Sequence, residues 1–563
     1  MQRSACPILR ASPARKLKTI ASNAVTRCED FGNEADFAKT SAALRPTLKM
    51  KTLLKLCLLL SATVTFGFNA HASDWTGGTG NWSDDINPGW NGTGVPNAAG
   101  AVANFPDATT PGAFTTNVDI PATVGVINFN ANGDLSRAVN TVNPLTMNNG
   151  GAGAIISNSN PSTGTNNFLN INSGQNANLK LADDLLVTNT GGSTNPTDAI
   201  LIGNLIEGTG NVTFSTVGNK VTDVQNAPGC IRIIQAGSYV GNVLVQKGAI
   251  LTNAGIPSGG AFGDPGNMVT LGQAGQGGVS LIATTNNVDI PNPFTIAAGT
   301  GGTTVIGAFS SQGSTFSGNM TLNGNLTVNS WVTLTASPGA FVLDGTISGP
   351  GGITFTTTTA SGLANGGDPT KVLSELDTFD SVSGNPNTYT GGTIVNVGTL
   401  IAKGNGALGA GNVTLAAQNV QLTLTSNGTS KIADTAALNL FDSTDKLNLN
   451  FSASRNEKVA VFRINGVAQP VGVYNATNLP GIITGTGQIQ VLVGDVKITS
   501  VTHTTGHFLV AGLTAPNVVV TVHTSNDLVS FDNGVQVTAD ATGVFQYDDA
   551  TGLTQRFYRA TYP

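Results

Sequence analysis

Three histidines, His503, His507 and His523, stand close together near the end of the chain. Imidazole nitrogens are zinc ligands, so three brought together would form a metal site. The His-x-x-x-His spacing of the first pair suits one face of a helix, whereas the Val- and Thr-rich sequence around it reads as strand and loop. Structural or solvent-exposed roles are therefore expected, and no metal. Attack on a polysaccharide would need carboxylates gathered on one exposed face, or an Asp with Ca²⁺ beside a basic residue. Asp134, Arg137, Asp183, Asp184, Glu207, Arg232, Asp289 and Asp344 are scattered, and no acid recurs at a fixed period with another. Neither a G-x-S-x-G elbow nor an H-E-x-x-H pair occurs. The run Gly404-Asn-Gly-Ala-Leu-Gly409 lacks the Lys and Ser/Thr of a phosphate loop. Glu375, Asp377 and Asp380 match no calcium loop, so a solvated polar face is expected there. No catalytic residue, cofactor or metal follows from these residues.

The segment Asp74-Trp-Thr-Gly-Gly-Thr-Gly-Asn-Trp-Ser-Asp-Asp-Ile-Asn-Pro-Gly-Trp90 carries three of the four tryptophans. Indole rings stack well on flat apolar partners, so Trp75, Trp82 and Trp90 are candidate glycan-binding residues. The preferred reading is an aromatic cap, since a repetitive core needs its first unit shielded.

The elements behind these residues are short, alternating and repeated. Met320-Thr-Leu-Asn-Gly-Asn-Leu-Thr-Val-Asn329 puts Met320, Leu322, Leu326 and Val328 on one side and polar residues on the other, the period of a half-buried strand. Thr388-Tyr-Thr-Gly-Gly-Thr-Ile-Val-Asn-Val-Gly-Thr-Leu-Ile-Ala402, continued by Ala407-Leu-Gly409 and Asn412-Val-Thr-Leu415, has a degraded copy upstream. That copy is Ser238-Tyr-Val-Gly-Asn-Val-Leu-Val-Gln-Lys-Gly-Ala-Ile-Leu251 with Ala261-Phe-Gly263 and Asn267-Met-Val-Thr-Leu271. A second pair precedes them: Ile202-Gly-Asn-Leu-Ile-Glu-Gly-Thr-Gly-Asn-Val-Thr-Phe214 matches Leu343-Asp-Gly-Thr-Ile-Ser-Gly-Pro-Gly-Gly-Ile-Thr-Phe355. Such self-similarity marks stacked strand units. Gly391, Gly392, Gly398, Gly404, Gly406, Gly409 and Gly411 are expected to turn corners at positive φ, and Asn396, Asn405 and Asn412 to tolerate left-handed geometry there. With adjacent coils ~4.8 Å apart, some 18 coils of about 22 residues would make a rod on the order of 85 Å long.

This repeat resembles the autotransporter-associated β-strand repeat, also called the passenger-associated transport repeat, of large exported bacterial proteins. The resemblance implies an all-β chain: a right-handed, single-stranded parallel β-helix (β-solenoid), which we place at 106–495, behind a Trp-rich N-terminal cap at 73–105. The tail, 496–563, is similar to short β-rich modules that end such proteins, and is read as a small antiparallel β-sandwich. Asn465-Gly466 between alternating runs signals a hairpin. An insertion, Asp368-Pro-Thr-Lys-Val-Leu-Ser-Glu-Leu-Asp-Thr-Phe-Asp380, places Val372, Leu373, Leu376 and Phe379 on one helical face after an Asp-Pro start, and a short helix is expected. The resemblance also implies a C-terminal outer-membrane barrel of amphipathic strands ending in an aromatic residue, for which the short tail ending Ala560-Thr-Tyr-Pro563 is expected to have no room.

Residues 1–49 show no strand pattern and read as a disordered extension from a misassigned upstream start. Translation from Met50 gives Lys51, an apolar core and an Ala70-His71-Ala72 processing site, so 50–72 is read as a signal peptide and the protein as exported to periplasm, cell surface or medium. The apolar stretch is shorter than the ~20 residues that span a bilayer, and no transmembrane segment is expected in the mature chain. Removing 1–72 leaves 15 basic against 28 acidic residues, a net charge near −13. A nucleic-acid partner is thereby disfavoured, because phosphate binding needs clustered Lys and Arg. Only Cys230 remains, so no intramolecular disulfide forms. The expected role is a non-catalytic surface scaffold, adhesive toward surface glycans or other cell-surface components. The alternative is a carbohydrate-active β-helix of lyase or hydrolase type.

Overall fold

The computed structural model describes residues 71–563 except 87, 107–112, 134–135, 162–167, 173–177, 192–198, 218–228, 254–259, 285–287, 309–313, 331–340, 357–371, 377–385, 426–429, 494–495, 505, 515–517, 551–554 and 562–563. The expected extension and signal segment therefore lie almost wholly outside the described residues. The fold is all-β, with no helix among the described residues. It is a parallel β-solenoid followed by a small antiparallel module.

Most strands of the coils have three to five residues and many alternate in burial, as in Met320–Leu322 and Leu179–Leu181, where the middle residue is exposed and its neighbours are buried. Three faces result. The first runs from Ala72–Asp74 through Val102–Phe105, Val126–Phe129 and onward to Ile347–Ser348, in about 11 turns. A second face runs beside it, from Gly80–Asn81 to Val461–Ile464. The third face has two ladders, Ala122–Val124 to Ile206–Gly208 and Val288–Ile290 to Ile483–Gly485. Backbone bonds from Ser238 N to Ile206 O and from Asp264 N to Tyr239 O carry the stack between them. Inward side chains of all three faces make one continuous core.

Coil length varies. Ala72 pairs with Val102, 30 residues on, Phe294 with Met320, 26 on, and Thr393 with Val413, 20 on. The stack thus holds fewer and longer coils than the eighteen of about 22 residues expected from the motif, because corner loops such as 297–303 lengthen a turn without altering the ladder. Among the described residues the ladder begins at Ala72, so the Trp-rich segment is itself the first described coil.

Two local expectations are corrected. Val372–Leu376 is a strand of the third face, paired in parallel with Phe341–Leu343 and Thr399–Ala402, where a helix was expected. The rest of 368–380 lies outside the described residues. Val372, Ser374 and Leu376 also satisfy period two, and the neighbouring ladder offers hydrogen bonds that a lone short helix would forgo. Among the corner glycines, Gly392, Gly398, Gly406 and Gly409 adopt positive φ, while Gly391, Gly404 and Gly411 do not. Asn396, Asn405 and Asn412 also avoid the left-handed region, and Asn412 instead accepts the Ala437 amide at 2.8 Å.

Beyond Val496 the chain forms two three-stranded antiparallel sheets. Lys497–Thr504, His507–Leu513 and Val544–Asp549 make one, and Val535–Thr538, Val519–Ser525 and Phe557–Thr561 the other. Val520 and Val522 pack across on Phe545.

Candidate functional site

The structure brings Trp75, Trp82 and Trp90 together inside the first coil. Trp75 ends the first strand, donating its amide to Asn104 O at 2.9 Å, and the excursion that follows folds Trp82 and Trp90 back under it. Trp90 meets Trp75 edge to face at 5.1 Å and Trp82 at 4.8 Å, with Phe105 of the next coil 5.8 Å away. All three are at most 2% exposed. Each indole N–H has a carbonyl: Trp75 donates to Gly78, Trp82 to Pro96 and Trp90 to Trp82. The ring faces are spent on one another, so stacking a sugar on them would require the coil to open.

The scattered acids serve turns. Asp183 Oδ2 accepts the amides of Asn149, Gly151 and Gly153 from the preceding coil at 3.2, 2.8 and 3.2 Å. Asp184 accepts the Asn211 amide one coil later. Asp289 accepts the Ser317 hydroxyl, and Glu207 pairs with Lys180 at 3.2 Å. Arg137 lies over the Phe114 ring, and Arg232 donates to Asn253 and Thr284. Asp344 stands where the third face turns, its amide bonded to Phe316 O. Asp134, Asp377 and Asp380 lie outside the described residues. The histidines do not converge: His503 stacks on Phe508, His507 meets Asp548, and His523 binds Asp532 O and Thr561. Among the described residues no group of three or more His, Cys, Asp or Glu is placed to hold a metal.

Sequence reasoning missed the buried charges. Glu457, wholly buried, accepts the Lys431 and Ile432 amides at 2.5 and 2.7 Å, with Arg455 at 3.4 Å. Burial outweighs these bonds and raises its carboxyl to about 6, while burial beside Arg455 lowers Lys431 to about 8. Asp445 holds the Val420, Phe441 and Asp442 amides, and its carboxyl is raised by burial. In the terminal module Asp549 binds Arg556 and the Tyr558 hydroxyl, both at 2.9 Å. Glu457 and Asp445 stand in for ladder bonds where the coil bends, a role that depends on which turn the fold places alongside, whereas Asp549 ties strands of the terminal module together.

The described residues also present open surfaces, two of them on the solenoid's first face and its corner. A cleft of about 470 Å³ lies at a corner between the first and second faces, under the 297–303 loop, lined by residues such as Thr300, Asn323, Asn325 and Pro350 and by no charged side chain. On the outer side of the first face two columns run along the stack. Val102, Val126, Ile155 and Leu186 form one, in register and half-buried. Beside them Asn104 donates to Asp74 at 2.9 Å, Asn128 to Asn104 at 3.0 Å and Ser157 to Asn128 at 2.6 Å, an unbroken polar ladder. Compared with known protein families, curated proteins and solved structures, the chain matches none.

Proposed function

We propose that this chain is a non-catalytic, exported β-solenoid scaffold of the autotransporter-associated repeat type, adhesive toward glycans at a cell surface. The observation that carries the reading is the use made of the acids. Asp183, Asp184, Asp445 and Glu457 each hold backbone amides of a neighbouring turn, which commits them to the architecture and takes them away from substrate chemistry. A general acid or nucleophile has to present its carboxyl to an open groove. Export is supported by the apolar run after Met50 and the Ala70-His71-Ala72 site. Of the four cysteines only Cys230 would remain after cleavage at Ala72, and it is buried, which is compatible with an oxidising compartment, where exposed thiols would be a liability.

The test has two arms. Mass spectrometry of the native protein is expected to find an N-terminus at Ser73, and fractionation to place it outside the inner membrane. Purified protein incubated with pectins, alginates and glycosaminoglycans is expected to produce no new reducing or unsaturated ends. Activity that survives purification and disappears on replacing one acid would overturn the scaffold reading in favour of the carbohydrate-active alternative.

A further inference from the structure

We infer that the outer side of the first face, over the coils from Ala72 to Asn189, is a docking strip for an extended neutral polysaccharide lying along the solenoid axis. The inference rests on the adhesive reading above and names its ligand class and its site. It also moves binding away from the tryptophans, whose rings are closed.

The strip has two chemically distinct columns at one spacing. Parallel register stacks Val126, Ile155 and Leu186 directly above one another, and the half-buried side chains make a flat apolar track. Two residues along each strand, on the same side of the sheet, stand Asn104, Asn128 and Ser157. Their hydrogen bonds to one another fix the side chains before any ligand arrives, so little rotamer freedom is lost on binding. Each of these amides uses one N–H and one lone pair in the ladder and keeps another of each for a ligand.

A β-linked pyranose chain presents the matching pattern: apolar ring faces on one side, hydroxyls at its edges, and an extended backbone advancing by about one sugar per rung of ~4.8 Å. Charge decides between polymers. Asp74 at one end and Asp184 at the edge beside Leu186 are the charged residues described along the strip, both acidic, and the mature chain is strongly acidic, so an anionic polymer would be repelled and a neutral one would not. The third face over the same coils carries the Lys180–Glu207 pair and interrupts any such track.

The experiment is co-sedimentation of the full-length protein with insoluble cellulose, xylan and chitin. Wild type is compared with Val126→Lys/Ile155→Lys on the strip and with Thr146→Lys on the third face, thermal unfolding being recorded for each. The expected result is binding of at least one neutral polymer, reduced tenfold or more by the strip variant at unchanged unfolding temperature and untouched by Thr146→Lys. Asn128→Ala, which removes the ladder and adds no charge, is expected to weaken binding severalfold. Equal binding by wild type and strip variant overturns the site. Binding of cells or acidic glycans with none to neutral polymers overturns this ligand and leaves the adhesive reading standing. Strip-dependent dimerisation in sedimentation equilibrium, with no polymer bound, assigns the face to a second copy of the chain and equally overturns the proposal.

Discussion

Tyr389 packs over Gly409 of the following coil: a Cβ built on Gly409 would stand 2.7 Å from the Tyr389 carbonyl oxygen and 2.9 Å from its ring. Tyr239 and Gly263 repeat the relationship in the degraded copy, at 2.5 and 2.9 Å. Both glycines have positive φ, +70° and +75°. The repeated Tyr and Gly of the motif are thus one interaction across two coils, a buried ring seated where only hydrogen can face it. Gly409→Ala is expected to lose about 2 kcal/mol or more, from the left-handed backbone and the displaced ring together. Denaturant midpoints measure it, with Gly275→Ala, which has open space around it, as the comparison for backbone strain alone.

The two tyrosines differ at the hydroxyl. Tyr389 bonds Thr393 at 2.5 Å, and Thr393 lies within 3.2 Å of Leu408 O. In the upstream copy Val243 stands where Thr393 does, and the Tyr239 hydroxyl is buried with no partner. Burial drives both phenols well above their ordinary range. Tyr239→Phe is expected to stabilise by about 1 kcal/mol, and Tyr389→Phe to destabilise by a similar amount. Matched urea titrations read the difference, and equal effects of one sign would contradict this account.

The Glu457 carboxyl sets an acid-side dependence. Its folded value near 6 lies above its ordinary 4.5, so the folded state binds the proton more tightly. Its contribution is present below about pH 4.5 and lost as pH rises through 6, roughly 2 kcal/mol in all. Lys431 runs the other way. Its folded value near 8 lies below 10.5, so its contribution is present above pH 10.5 and lost as pH falls through 8. Glu457→Gln is expected to flatten the melting-temperature profile between pH 4.5 and 6, leaving the alkaline limb in place.

Trp82→Ala opens a cavity between Trp90 and the Pro96 carbonyl. A loss of about 3–5 kcal/mol is expected, local to the first coils. Hydrogen exchange would rise at Ala72–Phe129 and stay unchanged beyond Val269, because each coil touches only its neighbours. Polymer binding through the first face should persist where that face remains folded.

Much of this was legible from alternation alone. Met320, Leu322, Leu326 and Val328 point inward as their spacing requires, and the Asn465-Gly466 turn joins Val461–Ile464 to Val467–Ala468 as an antiparallel pair. Val372–Leu376 is ambiguous because Val-Leu-Ser-Glu-Leu is short enough to fit both periods, and only the ladder on either side decides between them. The rotation of the repeat was also hidden. Val243 lies on the first face, whereas its counterpart Thr393 lies on the second, so the copies are offset by one face and their separation is not a whole number of turns. Composition announced the three tryptophans, yet whether indole faces meet solvent or one another depends on how the chain between them folds back. The roles of Asp183 and Glu457 were unreadable for a related reason: their partners belong to turns brought alongside by coiling, and coil length varies.

Parallel register carries a further consequence for size. Because Val269, Phe294 and Met320 succeed one another in a single column, excising residues 294–319 would join Pro293 to Met320 and set Leu271 on Leu322, Leu281 on Val328 and Ile290 on Leu343, one apolar pair inside each face. The corner loop and its cleft would leave with the excised coil, and the stack would shorten by ~4.8 Å. Span is therefore a quantity this architecture can change in whole steps, by duplication or loss of a single coil, while the sealed first coil and the terminal module stay as they are.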